Sequence, residues 1–386
     1  MAMDSKTGSS LEEDWGGTEF SHSDYEKAMM RIIIGKKVST CGVLCRALGW
    51  LFWSICCPPW PTCVISKQAF GLRVNATYDF VSAGNGKYRL DLSDDAKLVT
   101  WYWCKNELPL LKFLQRIVPD LRCFYIDYAS NMRLACVYYQ HQSELWPTIL
   151  LSKSRYKDIG LATEVIGSLV RQLGVDVFVY DYTGYGLSDG KLSEKHLCAN
   201  VERVYEYLTQ TLMIPWQQII LMGKSLGTVP AIHLASKFPV GGAVLEGSFV
   251  SGLRKCCPNM KKTCALCDLL DNSSKIKQVQ CPTLFVHGGA DKLFSVKHMV
   301  RLREQCPGAV AIEPLVLDGQ GHCSFDHLPE YWTRLKYFFF EQTEVWKGIL
   351  ESTAPTGSKL LASGCEDDKA MAPSLSNGPK SVRGLK

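Results

Sequence analysis

Short apolar runs and segments with helical spacing take turns through the middle of the chain. Residues 148–152, 175–181, 219–222, 243–246, 283–287 and 313–317 are strand-length runs dominated by Val, Ile, Leu and Phe. Between them, 158–173, 194–212, 226–237 and 296–305 repeat apolar residues every three or four positions, as helices with one buried face do. This alternation predicts parallel strands, because parallel neighbours need a crossover connection, and helices provide it. Ahead of these, 88–92, 98–103, 123–127 and 134–139 predict strands that enter the sheet antiparallel. The expected fold is therefore α/β, a central mostly parallel sheet flanked by helices.

One strand runs straight into a candidate nucleophile. Ile219-Ile-Leu-Met-Gly223-Lys-Ser225-Leu-Gly227 places a serine between two glycines where strand turns to helix. A tight turn of this kind lifts the serine above the sheet and leaves no room for neighbouring side chains. A serine there is also a common helix cap, so partners must decide. A hydroxyl needs a base to take its proton, and the base needs a carboxylate to fix its tautomer. Both follow in the order serine, acid, histidine: Asp291 after the 283–287 run, His322 after the 313–317 run. Each of the three falls just past the C-terminal end of a predicted strand, where open sheets gather reactive groups. His233 lies on the following helix, His287 is better suited to supporting the turn of Asp291, and His327 is the second choice for the base.

The N-terminal part has a different character. Residues 1–40 are polar and mixed in charge, which predicts a disordered extension. Residues 41–63 then pack five cysteines and three tryptophans, Cys41, Cys45, Cys56, Cys57 and Cys63 among Trp50, Trp53 and Trp60. The apolar part is broken by Arg46 and stopped by Pro58, short of the about 20 apolar residues a membrane span needs. It suits a membrane interface, with the cysteines as S-acylation candidates. A signal-anchor is the competing reading; the acidic start and late apolar stretch argue against a cleaved signal peptide. Residues 70–348 are expected to form the catalytic domain, and 350–386, rich in Ser, Gly, Pro and charge, a disordered tail.

Composition narrows the classes further. A net charge of +5 over 386 residues, with no basic run interleaved with aromatics, gives no sign of nucleic-acid binding. The cysteines outside the cluster have no disulfide rhythm, so reduced thiols are expected. Cys256, Cys257, Cys264 and Cys267 are poorly spaced for zinc, and no metal site is expected. Asn75-Ala-Thr and Asn272-Ser-Ser are glycosylation sequons that matter only for an extracytosolic domain.

Cys56-Cys-Pro-Pro-Trp-Pro-Thr-Cys63, Tyr180-Asp-Tyr-Thr-Gly-Tyr-Gly-Leu-Ser188, Gly223-Lys-Ser-Leu-Gly-Thr-Val-Pro230 and Lys261-Lys-Thr263 together resemble the α/β-hydrolase-domain-containing 17 family. The similarity runs over roughly residues 55 to 342. It implies a membrane-anchored serine hydrolase that removes palmitate from cysteine thioesters of other membrane proteins, without a cofactor, on the cytosolic face of plasma or endosomal membranes. It further implies Ser225, Asp291 and His322 as its triad and Cys56, Cys57 and Cys63 as its acylated anchor, which Cys41 and Cys45 extend. The chain departs from the family at Ser152-Lys153-Ser154-Arg155, where the family has a Ser-His-Gly-Asn-type loop. Oxyanion donors are expected at Leu226 and at Ser154 or Arg155. The departure leaves a weakened, scaffold-like protein as an alternative, beside a lipid or small-ester carboxylesterase.

Overall fold

The computed structural model describes residues 27, 28, 31, 32, 75–104, 121–140, 147–252, 254, 268–322 and 325–343, and of 101–104 the backbone only. Ten described strands form one sheet in the order β1-β2-β3-β4-β6-β5-β7-β8-β9-β10. They are β1 (Tyr78–Gly84), β2 (Lys87–Leu92), β3 (Arg122–Ala129), β4 (Met132–Tyr139), β5 (Thr148–Ser152), β6 (Asp176–Tyr180), β7 (Ile219–Lys224), β8 (Gly242–Glu246), β9 (Thr283–Gly288) and β10 (Leu315–Leu317). Pairing is antiparallel from β1 through β4 to β6 and parallel from β6 through β5, β7, β8 and β9 to β10. This is the mixed, mostly parallel sheet expected.

Burial explains the division. Every residue of β5, β6, β7, β8 and β9 is buried, the mark of strands covered on both faces. By contrast, β1 and β2 keep most positions exposed and join through Asn85 and Gly86, both at positive φ as a tight hairpin requires. The sequence pattern had not marked β1.

The helices are α1 (Asp94–Cys104), α2 (Ile159–Leu173), α3 (Glu194–Glu206), α4 (Thr228–Lys237), α5 (Asn272–Lys275), α6 (Val296–Arg303) and α7 (Pro329–Tyr337). Residues 98–103, expected to be a strand for their β-branched and aromatic content, lie inside α1. Local signals outweigh that propensity: Ser93 Oγ accepts from Ala96 N–H at 3.2 Å, and Asp94 and Asp95 meet the positive end of the helix dipole. Ala96, Leu98, Val99 and Thr100 are then buried, with α1 packed on α2.

Helix α2 is held more firmly. The Asp158 carboxylate caps it through Leu161 N–H and also accepts from the Thr77 N–H and hydroxyl, each at 2.6 Å. One buried carboxylate thereby ties the chain ahead of β1 to the helix behind β5. Gly174 closes the helix at φ 64°.

Of the polar extension, the described residues Lys27, Ala28, Arg31 and Ile32 are helical, with Ala28 and Ile32 buried and Arg31 Nη2 2.6 Å from Asp95 Oδ1. The expectation of disorder over 1–40 is corrected for these four, because Ala28 and Ile32 put apolar side chains four apart on one helix face. Cys41, Cys45, Cys56, Cys57, Cys63 and the 350–386 tail lie outside the described residues, as do Cys256, Cys257, Cys264 and Cys267. Among the described residues no helix is long and apolar enough to cross a membrane. Asn75 is exposed, whereas Asn272 is fully buried and its Nδ2 donates to Phe249 O at 2.9 Å.

Replacing Asp158 with Ala removes a cap and orphans the buried Thr77 N–H. Urea unfolding should show a loss of about 3 kcal/mol, from roughly 1 for the cap and 2 for the unpaired donor.

Candidate active site

Ser225 sits immediately after β7 with φ 54°, a left-handed conformation that a serine adopts only under constraint. The constraint is close backbone packing. A Cβ on Gly223 would lie 2.6 Å from Gly227 O, and one on Gly227 would lie 1.9 Å from Ser152 O and 2.8 Å from Lys153 O. Both glycines of the sequence pattern are therefore required, one for the turn and one for the approach of β5.

Asp291 and His322 arrive from the ends of β9 and β10. His322 Nε2 lies 2.7 Å from Ser225 Oγ, and its Nδ1 lies 2.6 Å from Asp291 Oδ2. The second Asp291 oxygen accepts from Leu293 N–H at 2.7 Å and Phe294 N–H at 3.0 Å. His287, wholly buried, donates from Nε2 to Phe294 O at 2.9 Å and approaches Asp291 Oδ2 at 3.3 Å. Burial would raise the Asp291 carboxyl, but the hydrogen bonds from His287, His322 and Phe294 outweigh it and hold the group well below the usual carboxylate range. Asp291 is thus an anion, and only the N–H form of His322 Nδ1 satisfies it. A neutral ring in this orientation turns the lone pair of Nε2 toward Ser225, as a base poised on a hydroxyl requires.

The Phe294 ring lies 5.6 Å from the His322 ring and stacks on Phe249 at 4.6 Å. His327, the second choice for the base, is exposed, and His233 pairs with Glu202 at 2.7 Å.

Two buried lysines flank the elbow, and the sequence pattern marks neither for this role. Lys224 Nζ, next to the nucleophile, lies 3.0 Å from Glu246 Oε2 and 3.1 Å from Asp326 Oδ1. Glu246 is its register neighbour on β8 and also accepts from the Tyr331 hydroxyl. Burial raises the Glu246 carboxyl above its ordinary value against the pull of Lys224. The available signal was a lysine closing an apolar strand beside a strand that closes on glutamate. Asp326 belongs to the loop that follows His322, so the network ties nucleophile strand to base loop.

The Lys153 ammonium lies 2.9 Å from Asp181 Oδ1, with the side chain buried. The Arg155 guanidinium lies 4.3 Å from the centre of the Tyr156 ring. Ser154 and Arg155 are half-buried in the turn after β5, beside the elbow, and Leu226 N–H opens the helical turn Ser225–Gly227, where N–H groups lack intrahelical partners. Among the described residues no cluster of His, Cys, Asp or Glu could hold a metal ion.

An open sheet that delivers a serine, an acid and a histidine from the ends of its strands, here β7, β9 and β10, is the architecture of the α/β hydrolases, and the chain is a hydrolase of that class. No family model matches it. Mouse (Mus musculus) α/β hydrolase domain-containing protein 17C is 31% identical over 318 residues, spanning 76% of this chain and 94% of that protein. Human (Homo sapiens) protein 17B is 31% identical over 288 residues, spanning 74% and 94%, and aho-3 of Caenorhabditis elegans is 31% identical over 319 residues, spanning 80% and 88%. The chain belongs to the α/β hydrolase domain-containing 17 family. Among solved structures, the Pyrococcus furiosus esterase Pf2001 is 17% identical with a TM-score of 0.46, covering 58% of this chain and 90% of that one. Est1E of Butyrivibrio proteoclasticus, bound to ferulic acid, is 18% identical with a TM-score of 0.45, covering 57% and 98%.

Because the folded protein holds Asp291 well below its ordinary pKa near 4, the stability this carboxylate supplies is fully present above that pH and is lost progressively as pH falls from there toward the lower pKa of the folded state. The gap in urea midpoint between wild type and Asp291→Asn should accordingly stay constant above about pH 5 and narrow steadily below it.

Proposed function

We propose that the protein is a serine hydrolase that cleaves acyl thioesters, S-palmitoyl groups above all, from membrane-associated proteins. The observation that carries this is the continuous path from Ser225 Oγ through His322 to an ionised Asp291, at 2.7 and 2.6 Å. Ser225 Oγ attacks the acyl carbonyl while His322 Nε2 takes its proton. The C–S bond then breaks, and the departing cysteine sulfur takes that proton from His322. A water molecule, deprotonated by the same ring, attacks the acyl-serine and releases the fatty acid and free Ser225. The oxyanion of each tetrahedral intermediate leans on the N–H of Leu226 and those of Ser154 and Arg155.

Family membership supports the thioester substrate. The Cys/Trp-rich segment supports a location on the cytosolic face of plasma or endosomal membranes, with Cys56, Cys57 and Cys63 acylated and Cys41 and Cys45 adding to the anchor. A tether of this kind concentrates lipidated partners beside the site.

A fluorophosphonate probe should label the wild type and leave Ser225→Ala unlabelled; an unlabelled wild type would overturn the assignment. Hydrolysis of a palmitoyl thioester should fall about 10⁴-fold in Asp291→Asn, because the His322 tautomer is lost while the fold survives. A carboxylesterase would instead turn over the matching oxygen ester faster than the thioester. Thioester-specific biotin exchange should report Cys56, Cys57 or Cys63, and retained membrane binding without that signal would favour a spanning segment.

A further inference from the structure

The turn after β5, Ser152-Lys153-Ser154-Arg155, contains no glycine and lies against the elbow with no slack, since Ser152 pairs in register with Gly223 and its carbonyl crowds Gly227. Four contacts hold this turn. The Tyr182 hydroxyl donates to Lys153 O at 2.6 Å, the Lys153 ammonium pairs with Asp181 Oδ1 at 2.9 Å and donates to Tyr180 O, and Ser152 Oγ lies 3.0 Å from the Tyr180 hydroxyl. Asp181 is steadied in turn by the Tyr78 hydroxyl at 2.7 Å on its other oxygen. Lys153 is therefore fixed at its carbonyl and at the far end of its side chain, both in the buried interior. Tyr156, at φ 69°, closes the turn in a conformation that a tyrosine keeps only when its surroundings impose it.

We infer that Tyr182 and the Lys153–Asp181 pair are positioning residues, which orient the backbone N–H of Ser154 toward the oxyanion formed at Ser225. In a trans peptide the C=O and the N–H point in opposite directions. Holding Lys153 O against Tyr182 therefore fixes the direction of Ser154 N–H as well. Without glycine, the turn takes its donor geometry from outside contacts instead of from backbone freedom. The charge of Lys153 is spent on Asp181, and its service to the reaction passes through the peptide it holds.

This inference rests on the proposed hydrolase chemistry, and Tyr182→Phe in the full chain tests it separately. The substitution deletes one hydroxyl from a buried ring that packs edge-on against Tyr180 and Tyr185, so the fold is kept. Expected are a fall of about tenfold in kcat on a palmitoyl thioester, an unchanged KM, and a weaker affinity for a trifluoromethyl ketone by the same factor as kcat/KM. A purely structural tyrosine would not weaken a tetrahedral mimic in step with the rate. Tyr78→Phe, one contact further out, should show the same pattern with a smaller factor and serves if Tyr182→Phe unfolds. An active wild type with kcat and ketone affinity unchanged in both variants would overturn the inference and leave the hydrolase reading intact; an inactive wild type would overturn that reading itself.

Discussion

The whole site depends on one close approach, the passage of the Gly227 backbone beside the carbonyl of Ser152. It leaves no room for a side chain, and so it fixes the distance between the nucleophile turn and the turn after β5. The strain of Ser225 at positive φ is sustained because β7 is hydrogen-bonded on both edges, to β5 and β8, and cannot shift to relieve it. Where the serine sits is decided by sheet register, and register is decided by buried Val, Ile and Leu far from any chemistry.

Buried charge then joins neighbouring strand ends in pairs. Lys153 after β5 meets Asp181 after β6, and Lys224 at the end of β7 meets Glu246 at the end of β8. Such pairs contribute little stability relative to apolar packing, yet losing one partner strands the other charge in the interior at several kcal/mol. Their effect is geometric. Each locks two adjacent strand ends at the edge from which the reactive residues project, and Asp326 extends the second lock to the loop of His322. Asp291 completes the set as an anion fastened by two imidazoles and two backbone N–H groups.

Much of this was legible in the chain. The central strands were, because full burial writes them as unbroken apolar runs, and so were Gly223, Ser225 and Gly227, because the turn tolerates few alternatives. Residues 98–103 were misread: Trp, Tyr, Val and Thr favour a strand, and the cap at Ser93 with its acidic first turn decided for a helix. β1 was missed because only alternate residues near its start are buried. The partners of Lys153 and Lys224 were hidden for a different reason. Each lies on a separate strand, and only the strand order 6-5-7-8 brings them together. Propensity is local, while electrostatic partnership is a property of topology.

The two sequons differ in a way that bears on how the chain can mature. Asn75 lies on the surface, but the Asn272 amide nitrogen, the atom a glycan would occupy, is already donating to Phe249 inside the protein. A sugar added there before folding would exclude that hydrogen bond and the packing around it. Were the domain extracytosolic, the fold and a glycan at Asn272 would be mutually exclusive endpoints for one nascent chain, and the order of events during synthesis, more than accessibility in the finished protein, would decide between them.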